Sequence, residues 1–231
     1  MSALSTLETS NAPLVEQGPS GSASFGILST YPPTPCGLAT FSAALSKGLC
    51  ANGSDVSVVR VADGSLSSDA RVIGELVNGS ATSVAATSEL LNECDIAVVQ
   101  HEYGIYGGAD GDEVVDIIGG LHIPLIVVAH TVLKDPTPHQ RSVLEAIAAM
   151  ATQVVVMSEA ANQRLCLGFN VDPRKVTTIA HGATVPRQLA PPARSDRPTL
   201  LTWGLLGPGK GIERVIDAMG LLHDLPVRPR T

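Results

Sequence analysis

Short β-branched and aliphatic runs recur along this chain, each separated from the next by a segment long enough for a helix, and this alternation constrains the fold most. The runs are Ser24–Thr30, Asp55–Val61, Val72–Val77, Asp95–Gln100, Ile123–Ala129, Gln153–Met157 and Val176–Ala180. Helical segments are expected at residues 37–51, 81–94, 112–121 and 137–151, and again from Glu159. Strand, helix, strand in repetition predicts an α/β fold with a Rossmann-like, doubly wound parallel sheet. Only 3% of the residues are aromatic while 44% are hydrophobic, so the core must be built from Val, Ile, Leu and Ala. That composition suits strands buried on both faces. Local chemistry sharpens the helix boundaries. Thr137, Pro138 and Gln140 form a capping box with proline in the first turn, Ser158 is an N-cap, and Asn52-Gly53 is a left-handed stop.

Charge and cysteine content narrow the setting. Residues 1–120 carry 14 acidic and three basic side chains, whereas residues 121–231 carry eight acidic and 12 basic ones. An acidic first half predicts no nucleic-acid partner, and the more basic second half could accept a small phosphorylated ligand. The first basic residue is Lys47, so no secretory n-region is visible, and no apolar run is long enough for a membrane span. A cytoplasmic protein without an integral membrane segment is expected. Cys36, Cys50, Cys94 and Cys166 lack metal-binding spacing and are expected to be reduced and mostly buried. No metal site is expected.

In a parallel sheet, ligands bind beyond the carboxyl ends of the strands, so the polar residues there carry the functional reading. Tyr31 to Thr40 is a Pro/Gly turn running into a helix N-terminus, whose free amides at Gly37 suit an anion or a hydroxyl-rich ligand. His101-Glu102-Tyr103 and His130-Thr131 each follow an apolar run. Both histidines are expected to project into one crevice. His181-Gly182 follows the seventh run. Gly204, followed after five residues by Lys210-Gly211, lies in a Gly-rich turn at a helix start and could cradle a diphosphate, although it is not a P-loop because Gly211 replaces Ser or Thr.

Taken in order, these segments resemble the GT-B glycosyltransferases of glycosyltransferase family 4 over roughly residues 24–222. The resemblance rests on Cys36-Gly37, His101-Glu102, Ala129-His130-Thr131, Val156 to Ala160, Ile179 to Gly182, and Gly204 with Lys210-Gly211. It implies two Rossmann-like domains with the active site between them, and retaining transfer of a hexose from a nucleotide-sugar that is a substrate and not a cofactor. No bound metal is implied. His130 would be the catalytic-site residue at the donor sugar. Gly37, Gly204 and Lys210 would bind the donor, with Lys210 neutralising the diphosphate leaving group. His101, Glu102, Tyr103 and His181 would line the acceptor or sugar site. The acceptor would be a carbohydrate, lipid or small molecule. Leu205 stands where the family commonly has Arg, so one positive charge is missing from this pattern.

The expected organisation is a flexible segment at 1–23, an acceptor-side domain at 24–183, a linker at 184–198, and the start of an incomplete donor-binding domain at 199–231. A strand at Thr199–Trp203 and a helix from about Lys210 are expected there. The chain is therefore expected to be a shortened form, folded but inactive alone. The alternative function is a non-catalytic Rossmann-like module that binds a sugar, a nucleotide or a protein. An oxidoreductase is disfavoured because no GxGxxG follows the first run.

Overall fold

The computed structural model describes residues 22–183, 200–203 and 211–222. Seven strands form one sheet: β1 (Ser24–Ser29), β2 (Asp55–Val61), β3 (Val72–Leu76), β4 (Ile96–His101), β5 (Leu125–Ala129), β6 (Gln153–Val156) and β7 (Val176–Thr178). Their order is β3-β2-β1-β4-β5-β6-β7, and every pairing is parallel. The direction of winding reverses between β1 and β4, so the loops after these two strands diverge and open a crevice at the carboxyl edge. This is the Rossmann-like doubly wound sheet that the alternating runs imply.

The two faces are covered unequally. One buries Leu28, Val59, Val99, Val127 and Val156 under α2 (Ala81–Asn92), α3 (Glu113–Gly119), α4 (Pro138–Met150) and α5 (Glu159–Gly168). The other buries Ile27, Val58, Val98 and Val128 against Phe41, Leu45 and Leu49 of α1 (Gly37–Ala51). Helix α1 packs closely on β1 because its inner stripe is small: Ala39, Ser42 and Ser46 are buried, and the Ser42 hydroxyl donates to Ser29 Oγ at 2.7 Å.

The helix starts follow from capping chemistry. Thr137 Oγ1 accepts from the Gln140 amide at 3.1 Å, and Gln140 Oε1 accepts in return from the Thr137 amide at 3.0 Å. Ser158 Oγ accepts from the Ala161 amide at 3.2 Å and starts α5. At the end of α1 the positive φ of 88° falls on Gly53, where no Cβ opposes it.

Two expectations fail in detail. Residues 200–203 form no strand; extended backbone needs a neighbouring strand to pair with, and among the described residues none lies beside this run. Of the four cysteines only Cys94 is buried; Cys36 and Cys166 are partly buried, and Cys50, near the end of α1, is exposed. After residue 203 the described residues comprise α6 (Ile212–Leu221) and its flanks, with none of the helix's side chains buried. Its apolar Ile216 and Leu221 are exposed. Gly204, Lys210, the 184–198 linker and all but the last two positions of the 1–23 segment lie outside the described residues.

Candidate active site at the carboxyl edge of the sheet

The centre of the crevice is a pair that β4 and β5 bring together. Gln100 is opposite Val128 in the sheet register, and His101 is opposite Ala129. Residue direction alternates along a strand, so Gln100 belongs to the α1 face and His101 to the opposite face. His130, one residue beyond Ala129, returns to the α1 face. There His130 Nε2 lies 2.6 Å from Gln100 Oε1. The His130 ring packs edge-on against Phe41 of α1, with centroids 4.9 Å apart. Phe41 also meets the His181 ring at 5.3 Å, joining the segment after β7 to the same cluster.

The two histidines expected in one crevice therefore part company. His101 is 1% exposed, and its ring lies against Tyr103, whose hydroxyl donates to the Gln140 carbonyl of α4 at 3.3 Å. A one-residue offset in register accounts for this, since it moves a side chain to the other face. Glu102 is held between neighbours: Oε1 accepts from the Tyr103 amide at 3.1 Å, and Oε2 accepts the Thr131 hydroxyl. His181 is exposed, with Nδ1 donating to the Gly182 carbonyl at 2.8 Å.

Gly37 opens α1 on the same rim. Cys36 takes the Ala39 amide on Sγ and the Thr40 amide on its carbonyl, both at 3.3 Å. Nothing lies within 4 Å of where a Cβ at Gly37 would be. The helix start is thus open to close approach, with the dipole favouring an electron-rich group. Below it, α1 and the strands enclose a cleft of about 840 Å³ whose lining includes Gly37, Phe41, Val128, Met157 and His181. The cleft is mostly apolar; its polar side chains are Thr40 on α1, Asn52 at the end of α1 and His181 after β7. Among the described residues, no group of three or more His, Cys, Asp or Glu side chains could hold a metal ion.

The loop walls are anchored from behind. Arg60, 0% exposed on β2, donates from Nε to the Tyr31 carbonyl at 3.2 Å and from Nη2 to Thr34 Oγ1 at 3.0 Å. It also donates from Nη1 to the Ser65 carbonyl at 2.8 Å and to Glu75 at 2.6 Å, and pairs with Asp63 through Nη2. One guanidinium thus ties the β1–α1 loop to the β2–β3 loop. Ser65 and Thr34 hydroxyls, the Ser65 amide and Arg60 together hold the Asp63 carboxyl well below the usual range.

His130 in the crevice and His101 behind it are both neutral at pH 7. Burial, reinforced by the charge on His130, lowers His101 to about 4. Burial, reinforced by His181, lowers His130 to about 4. The unfolded chain binds these protons near pH 6.5 and the folded chain does not, so the unfolded state gains protons first as pH falls. The contribution of these two histidines to stability should be complete well above pH 6.5 and be lost as pH falls through 6.5 towards 4. His101 contributes at most roughly 3 kcal/mol to that decline. Thermal melts across this window should show a slope that His101→Phe reduces; an unchanged slope would mean that His101 is not titrating as its burial requires.

Gln100, Phe41 and Arg60 carry no mark of function in the sequence reading. Gln100 and Arg60 each left a trace, as a polar residue near the end of an apolar run where a strand buried on both faces should have none.

Residues 35–185 match the model of Glycosyltransferase Family 4. The chain belongs to glycosyltransferase family 4. No curated protein matches its sequence. Among solved structures, a glycosyltransferase from Rickettsia africae ESF-5 aligns over 87% of this chain at 14% identity with a TM-score of 0.58. An alpha-glucosyltransferase in complex with UDP-glucose and DNA containing an abasic site aligns over 69% at 17% identity, TM-score 0.49. The same kind of enzyme with UDP and a 13-mer DNA containing a central A:G mismatch aligns over 60% at 18% identity, TM-score 0.44. The first likeness is one of fold. The family 4 chain described here spans 58% of the length of the Rickettsia protein and 42% and 38% of the two glucosyltransferases.

One expectation is overturned by these comparisons. An acidic first half does not exclude a nucleic-acid partner: alpha-glucosyltransferases among the similar solved structures hold DNA. Net charge summed over 120 residues averages the whole surface, whereas a polyanion meets only a local patch, so the count excludes nothing. No helix among the described residues is long and apolar enough to cross a membrane.

Proposed function

We propose that this family 4 chain provides the acceptor-side half of a retaining transferase that moves a hexose from a nucleotide-sugar, without a bound metal, to a carbohydrate, lipid or small-molecule acceptor. The observation that supports this best is the meeting of His130, Phe41 and His181 with the open start of α1 at the carboxyl edge of the sheet. In such a transfer the bond between the anomeric carbon and the diphosphate oxygen breaks. The acceptor oxygen forms the new bond to that carbon, and its proton leaves with the nucleoside diphosphate. Negative charge grows on the diphosphate, so the protein's main task there is electrostatic.

His130, as a neutral imidazole, would hold a donor-sugar hydroxyl near the reacting carbon, and Gly37 would offer backbone amides from the same rim. His181, with Glu102 and Tyr103 set further back, would border the acceptor. His101 is buried behind this site and would serve by packing. Residues 199–231 would belong to the donor-binding unit, with Lys210 meeting the diphosphate and Gly204 opening the loop around it. In calorimetric titrations with UDP and GDP, Lys210→Ala should weaken binding about tenfold or more, the cost of losing a charge-assisted contact to phosphate. Equal affinity for the variant and the parent would remove Lys210 from the donor site.

A further inference from the structure

Resting on the reading of His130 as the donor-sugar contact, we propose that Gln100 is a positioning residue: its Oε1 holds the protonated Nε2 of His130 and leaves Nδ1 as a bare lone-pair acceptor for a sugar hydroxyl. Gln100 is 0% exposed and flanked on its own face by Val98 and, across the strand, by Val128. Burying an amide in such surroundings costs free energy unless its polar atoms are paired. Here the pairing is incomplete. Oε1 meets His130 at 2.6 Å, while Nε2 has no partner among the described residues. An apolar residue at this position would serve stability better. The amide instead gives His130 a defined proton.

The assignment follows from which atoms can donate. Neutral imidazole carries one N–H, and a carbonyl oxygen offers only lone pairs, so the proton lies on Nε2. Phe41 abuts the ring edge-on and opposes its turning over. The other titratable groups around it do not compete for that proton. His101 on β4 faces the opposite side of the sheet, His181 after β7 is engaged with the Gly182 carbonyl, and Glu102 is occupied by the Thr131 hydroxyl and the Tyr103 amide. A lone pair at Nδ1 attracts hydroxyl donors and repels phosphate oxygens. Gln100 thereby selects which part of a nucleotide-sugar His130 receives: the sugar, not the diphosphate.

Nitrogen-15 spectra of the full chain labelled in its histidines read the tautomer directly. At pH 7 the His130 signals should report a protonated Nε2 and a bare Nδ1. In Gln100→Met, similar in shape but without the acceptor, the His130 proton should divide between the two nitrogens. In Gln100→Glu the Nε2 proton should remain, and the proton affinity of His130 should rise about tenfold or more, one pH unit in its titration. A purely structural Gln100 would change melting temperature without moving the tautomer. A bare Nε2 in the parent chain, or an unaltered tautomer in Gln100→Met, overturns the proposal. Should Gln100→Met fail to fold, the parent spectrum and Gln100→Glu still decide. A tautomer as proposed, together with unchanged nucleotide-sugar binding by His130→Ala, would leave the role of Gln100 standing and remove the functional reading instead.

Discussion

Replacing Arg60 with methionine is expected to destabilise the protein by about 3 kcal/mol, near the lower end for breaking a buried ion pair. For a chain of this size that corresponds to a fall in melting temperature of roughly 6–12 °C. The side chain is wholly buried, so methionine can fill much of its volume but none of its hydrogen bonds. The carbonyls of Tyr31 and Ser65, the Thr34 hydroxyl, and the carboxylates of Asp63 and Glu75 all lose their common donor. The carboxylates are partly open to water, 31% and 36% for their side chains, which keeps the cost from being larger. Arg60→Lys should recover little, because a point charge cannot satisfy a fork of acceptors. Amide exchange should also rise in residues 31–36 and 62–71, the two loops the guanidinium joins. A melting temperature within 2 °C of the parent would show that these loops hold themselves.

The second large effect concerns His130. In a transferase carrying this half together with its donor-binding half, His130→Ala should cut turnover about a hundredfold, the scale on which losing one preorganised polar contact at a reacting centre is felt. Melting temperature should change by less than about 3 °C, since His130 is half-buried and its removal would let water in to pair with Gln100 Oε1. Full-rate release of nucleoside diphosphate by the variant would place the chemistry elsewhere.

Much of the architecture is legible in the sequence. The runs from Ser24 to Ala180 became seven parallel strands because β-branched residues between helix-length segments leave little else to build, and the Thr137–Gln140 box placed the start of α4 at Pro138. The site was less legible. His101 and His130 look equivalent in the sequence, each ending an apolar run. Only the pairing of His101 with Ala129 reveals that they face opposite sides. Gln100 and Arg60 were hidden for a related reason. The value of a buried polar side chain lies in partners distant in sequence: Gln100 meets a residue 30 positions away, and Arg60 reaches back 29 positions to Tyr31. Net charge failed differently, since a sum over residues carries no information on where they gather.

Histidine imidazole resonances in the intact chain, followed while UDP-hexoses, GDP-hexoses and free hexoses are added, test the central claim most directly. The protein carries its own controls. His130 and His181 meet at Phe41, whereas His122 precedes β5 at the opposite edge and His139 lies in the first turn of α4, beside Asp110. The account predicts that His130 and His181 shift together on one saturation curve, that His122 and His139 stay still, and that His130→Ala weakens the response about tenfold, as the loss of one hydrogen bond implies. Saturable shifts at His122 or His139 with none at His130 would contradict it.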